Sequence, residues 1–121
     1  MAVVIPGIPL AASAQVAAAA NNQTLAASAA GLTTYISSFM VTGGGATAAS
    51  VILVTVTGLA VGTLNFNIPI PAGVTLGILP FYIEFNPPLP ATAPNTAIVL
   101  NVPSFGAGNT AASAAVFGFQ Q

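Results

Sequence analysis

An all-β fold, a single antiparallel β-sandwich of jelly-roll-like type with about eight strands and an extended N-terminal arm, is predicted by two features of the sequence. From Asn22 onward the 121-residue chain breaks into short apolar runs separated by Gly, Pro and Asn, at the spacing of a sandwich. The runs are rich in Val, Ile, Thr and Phe, and several alternate between apolar and polar residues. Cysteine is absent, so no disulfide framework or thiolate metal site supports the fold and packing alone must hold it.

Residues 1–22 are read as the arm and residues 23–121 as the sandwich, a length that suits one domain. In the arm, Pro6-Gly7-Ile8-Pro9 favours extended or turning backbone, and the tract 11–20, alanine except for Ser13, Gln15 and Val16, reads as a short helix or an extended arm, its side chains too small to build a core. Its apolar residues Val3, Val4, Ile5, Pro6, Ile8, Pro9 and Leu10 are expected to lie on a neighbouring surface as an assembly arm. Deleting residues 1–20 is accordingly expected to weaken assembly and leave the β-core folded.

Seven runs follow, at 23–30, 33–42, 49–57, 63–70, 78–85, 96–102 and 112–119. A strand from the arm brings the count to about eight. Between the runs stand Gly31, Gly43-Gly44-Gly45, Gly58, Pro71-Ala72-Gly73, Asn86-Pro87-Pro88 and Gly106-Ala107-Gly108-Asn109. Alternation assigns the faces: Phe81, Ile83 and Phe85 share one side, opposite Tyr82 and Glu84, and Leu64, Phe66 and Ile68 oppose Asn65 and Asn67. Phe66, Phe81, Ile83 and Phe85 are therefore expected in the core. Pro69 removes a ladder donor, so its run belongs at a sheet edge or ends there.

The segments 43–50 and 106–113 share the pattern G-x-G-x-T-A-A-S. Each follows one apolar run and precedes the next, and glycine supplies the positive φ that tight loops need. Gly43, Gly44, Gly45, Gly106 and Gly108 are thus expected at two equivalent hairpin tips.

Charge is almost missing. Glu84 is the only charged side chain, where an ordinary domain of this length would carry about thirty. Without Lys or Arg there is nothing to neutralise phosphates, which argues against nucleic acid as a partner. The apolar stretch 46–64 could span a bilayer as a helix by length. Its centre, from Ser50 to Gly58, is β-branched and alternates Val with Thr, and no Lys, Arg or Trp flanks it, so a strand is expected and membrane insertion is not. The start has no basic region and Pro6 and Pro9 interrupt its apolar run, unlike a secretory signal. Without such a signal, Asn22-Gln23-Thr24 is weak as a glycosylation acceptor.

Enzymatic chemistry lacks its groups. No His, Lys, Asp or Cys is present to activate a hydroxyl, and Glu84 cannot form a two-carboxylate pair or hold a metal alone. The Gly43-Gly44-Gly45 triplet lacks the lysine and the spacing of a phosphate loop. No enzyme, cofactor, catalytic residue or metal site is expected. A neutral surface rich in Ala, Val, Thr and Gly has nothing to repel a second copy, so copies of the chain itself are the expected partner.

From Leu25 to Phe119 the chain resembles small β-sandwich virion proteins of tailed bacteriophages. The resemblance is carried by Thr34-Tyr35-Ile36-Ser37-Ser38, by Val41-Thr42-Gly43-Gly44-Gly45-Ala46-Thr47-Ala48, by Val56-Thr57-Gly58-Leu59 and by Pro94-Asn95-Thr96-Ala97-Ile98-Val99-Leu100. The chain resembles head decoration or cement proteins and related small structural subunits, and the resemblance implies a jelly-roll-like, commonly oligomeric subunit docked on a capsid or another virion lattice by surface loops and an N-terminal arm. One alternative is an extracellular filament or surface-layer subunit whose arm donates a strand to the next copy. Another, of a different class, is a carbohydrate- or host-binding module using Tyr82, Asn65 and Asn67.

Overall fold

The computed structural model describes residues 7–27, 30–73 and 80–121, which form eight strands and no helix. They are β1 (Ile8–Val16), β2 (Asn21–Leu25), β3 (Thr34–Gly44), β4 (Ser50–Thr57), β5 (Leu64–Ile70), β6 (Phe81–Pro90), β7 (Ile98–Val102) and β8 (Ala111–Gln120). The first sheet has the order β1-β8-β3-β6 and the second β2-β7-β4-β5.

The topology is a long hairpin rolled up. β4 pairs with β5 around the turn that begins at Gly58, β3 with β6, β2 with β7 and β1 with β8, all antiparallel, and successive pairs fall in alternate sheets. Rolling then brings β8 against β3 and β7 against β4, which closes each sheet at four strands. This is a jelly-roll order, and the all-β sandwich expected from the spacing of the runs is the observed fold.

The inner faces follow the period of two. Ile52, Val54 and Val56 of β4 and Ile98, Leu100 and Val102 of β7 face Phe39 and Val41 of β3 and Ala112, Ala114 and Val116 of β8 across the sandwich. Alanines on β8 suit its place inside the first sheet, where small residues leave room for Phe39 and Phe105. In β3 the alternation is broken. Ser37 is an extra residue between Ile36, opposite Gly118, and Ser38, opposite Phe117. The bulge resets the phase so that Ile36, Phe39 and Val41 are all buried, although the first two are three positions apart. The Ser37 hydroxyl donates to the Phe117 carbonyl at 3.0 Å.

Residues 8–16 correct the expectation of an arm on a neighbouring surface. Ile8, Pro9 and Leu10 begin β1, which runs the length of β8 from Ile8 opposite Gln120 to Val16 opposite Ala112. Leu10, Ala12 and Val16 pack on the chain's own core, so the boundary placed between residues 22 and 23 falls inside β2. The alternating pattern here is written in alanine and serine, which hides it from a reading by hydrophobicity. Val3, Val4, Ile5 and Pro6 lie outside the described residues.

Prolines mark the sheet edges. β5, with Pro69, ends the second sheet, and β6 ends the first. The expected turn at Asn86-Pro87-Pro88 is instead part of β6, which continues to Pro90 and pairs Leu89 with Ile36 and Pro90 with Tyr35. An edge strand needs donors on one side only and so tolerates proline.

Candidate interaction surface

The expected core residues converge. Phe66 of β5 and Phe81, Ile83 and Phe85 of β6 turn inward and are half-buried against the core. Phe39 is their common neighbour, with ring centroids 5.3 Å from Phe66, 6.1 Å from Phe81 and 6.2 Å from Phe85. They are not more deeply covered because both strands are edges.

The glycine-led loops are equivalent, but they are not hairpin tips. Gly43 and Gly44 finish β3 and Gly45 starts the connection to β4, while Gly106 and Gly108 lie between β7 and β8. Each connection passes from one sheet to the other, because β3 and β4, like β7 and β8, belong to different sheets. The two echoed segments lie against each other. Thr47 N donates to the Ala107 carbonyl at 2.8 Å, and Asn109 Nδ2 donates to the Gly44 carbonyl at 2.6 Å. Ala46 and Asn109 occupy the same place in the two echoes and both are buried. Asn109 also donates to the Ala111 carbonyl at 3.0 Å and accepts from Ala18 N at 3.2 Å, tying together β8, the end of β3 and the β1–β2 corner.

Asn21 does the same on the other side of that corner. It is buried, its Nδ2 donates to the Ala14 and Ala112 carbonyls at 2.9 and 3.0 Å, and its Oδ1 accepts from Gln23 Nε2 at 2.7 Å. Neither asparagine stands out in the sequence as more than a turn former. The one usable signal was that Asn109 is the polar departure from an otherwise apolar position in the echo.

The outer face of the first sheet is shallow and, apart from Glu84, uncharged. Across β1, β8 and β3 the register aligns Gln15, Ser113 and Thr42 in one row and Ser13, Ala115 and Met40 in the next, with Tyr82 of β6 beside Met40. These small residues line a trough, and Phe117 and Tyr82 rise beside it, 40% and 53% exposed. Glu84 sits on the same face opposite Ser38, in a depression shared with Ser37, Tyr82, Asn86 and Pro88. The chain has no Lys, Arg or His to pair with its carboxylate. Among the described residues no cluster of metal-ligating groups occurs.

The outer face of the second sheet differs in character. Val51 and Leu53 of β4 stand 66% and 48% exposed, with Pro69 exposed opposite Val51. Farther along, Asn22, Asn101, Thr55 and Asn65 form a row across β2, β7, β4 and β5. Asn101 Nδ2 is within 3.2 Å of the Thr57 hydroxyl, so part of this row is engaged within the sheet. Asn65 and Asn67 are thus on the outside of the second sheet, whereas Tyr82 is on the outside of the first. The three do not meet in one binding site.

No helix among the described residues is long and apolar enough to cross a membrane. Comparison with known protein families, with curated proteins and with solved structures gives no match for this chain.

Proposed function

We propose that this chain is a non-enzymatic structural subunit that associates with its own copies and docks on a virion lattice, as a bacteriophage capsid decoration or cement protein does. The observation that supports this most is the surface itself. A folded sandwich with a single charged side chain leaves Val51, Leu53, Val61, Tyr82 and Phe117 exposed. Charge is what ordinarily keeps soluble domains apart, and such a surface is at home against another protein. The jelly-roll order adds support at the level of architecture, since it serves viral capsid domains among others.

Strand donation in a filament is less well supported, because residues 8–16, the segment that would be donated, are already paired to β8 of their own chain. Electron microscopy of the purified protein, alone and mixed with undecorated phage heads, tests the reading. Discrete oligomers that appear as knobs on the heads are the expected result. Fibres built from this chain alone would replace decoration with the filament, and binding to glycans without binding to heads would replace both.

A further inference from the structure

Four strands border the two sheets: β1 and β6 the first, β2 and β5 the second. A border strand presents a row of backbone N–H and C=O groups that will pair with another chain unless charge, proline or shortness prevents it. Three of these borders carry such a device. β6 holds the chain's single charge, Glu84, and then Pro87, Pro88 and Pro90. β5 carries Pro69 near its end. β2 is five residues long.

β1 carries almost none. It has nine residues, and after Pro9, its second, there is neither proline nor charge through Val16. Ala11, Ser13 and Gln15 of this strand are exposed. The Ala14 carbonyl accepts from Asn21 Nδ2, and Pro9 lacks an N–H, so among the described residues the open stretch is centred on residues 10–13.

We propose that β1 is the strand through which two copies of this chain pair, antiparallel and edge to edge about a twofold axis near Ala12, joining their first sheets into one. The proposal rests on the self-association reading above and names its contact. A second copy is the fitting occupant for two reasons. Antiparallel pairing of a strand with itself is isologous, so one unguarded edge supplies both halves of the interface. The charges also permit it: Glu84 lies on the far border of the same sheet. At about 4.8 Å per strand, the two Glu84 residues of a joined sheet would be about 34 Å apart, beyond the screening length at physiological salt. With Ala12 on the axis, Ala11 of one copy stands opposite Ser13 of the other, and neither side chain is large enough to obstruct.

The test uses sedimentation velocity on the full chain and on two variants with a lysine on an exposed strand residue, Ser13→Lys on β1 and Asn67→Lys on β5. Ser13→Lys is expected to raise the dissociation constant of the dimer by about tenfold or more, with the far-ultraviolet circular dichroism and thermal midpoint of the parent, and Asn67→Lys to leave it within about threefold. Because the chain has no cysteine, an oxidised mixture of Ala11→Cys and Ser13→Cys chains gives an independent reading: a disulfide-linked heterodimer is expected. A Ser13→Lys protein that associates like the parent, absence of the cross-link, or loss of association only in Asn67→Lys would each overturn pairing through β1 while leaving self-association in place. A parent chain that is monomeric at about 100 µM would overturn both.

Discussion

Two asparagines and a glycine do more for this fold than their places in the sequence suggest. Asn109 and Asn21 donate to strand carbonyls of β1, β3 and β8 beside the places where the chain changes sheets, tying the crossings to the strands. Replacing Asn109 with Ala removes donors to the Gly44 and Ala111 carbonyls in a buried setting and should cost about 1–3 kcal/mol, read as a lower urea midpoint at unchanged slope. Gly118 is a second such position. It lies opposite Ile36 at the β3 bulge, and a Cβ there would run into the Tyr35 carbonyl oxygen and approach Leu25 Cδ1 to 2.8 Å. Gly118→Ala is expected to cost about 3 kcal/mol or more, and a variant with the parent's stability would show that β3 can move aside. Nothing in the run 112–119 announces this, because the obstruction comes from a strand some eighty residues away. Gly58 is more legible: it follows an apolar run, adopts φ of +88°, and sits where a Cβ would meet the Ala97 carbonyl oxygen.

Among the elements, β1 and β6 depart most from what their sequences suggest, and for related reasons. Each borders the first sheet and is held on one side only. β6 can therefore absorb three prolines after Asn86, where local chemistry alone reads a turn. β1 can be built of alanine and serine because β8 beside it supplies the ladder, and only Leu10, Ala12 and Val16 need reach the core. Removing the first sixteen residues should then do more than weaken assembly. It would uncover β8 along nine paired positions and is expected to lower the thermal midpoint by about 10 °C or more, or to cause aggregation. A truncated chain with the parent's midpoint and monomer solubility would return β1 to the status of a dispensable arm.

For the whole molecule, the scarcity of charge makes a prediction that no single residue could. With one charged side chain in 121 residues there is little for ions to screen, so neither stability nor the proposed self-association is expected to depend on long-range electrostatics. Between about 0.05 and 1 M sodium chloride the dissociation constant of the parent assembly is expected to change by less than about threefold. A steep weakening with salt, measured by sedimentation, would point to a charged partner surface that this chain does not contain.

The class of the fold, the number of strands within the sandwich and most of their positions are legible in the chain read alone, because period-two alternation and glycine or proline punctuation are local signals. The nearly uncharged chemistry of the surface is legible too, since it is a matter of composition. Tertiary structure decided what depends on residues far apart in the chain. It made residues 8–16 a sheet strand, turned the two glycine-led echoes into interlocked crossings between sheets, and sent Tyr82 and the Asn65–Asn67 pair to opposite faces. The physical reason is common to all three. A strand's pattern fixes which of its faces is buried, but its neighbours, and so its borders and partners, are chosen only when the long hairpin rolls.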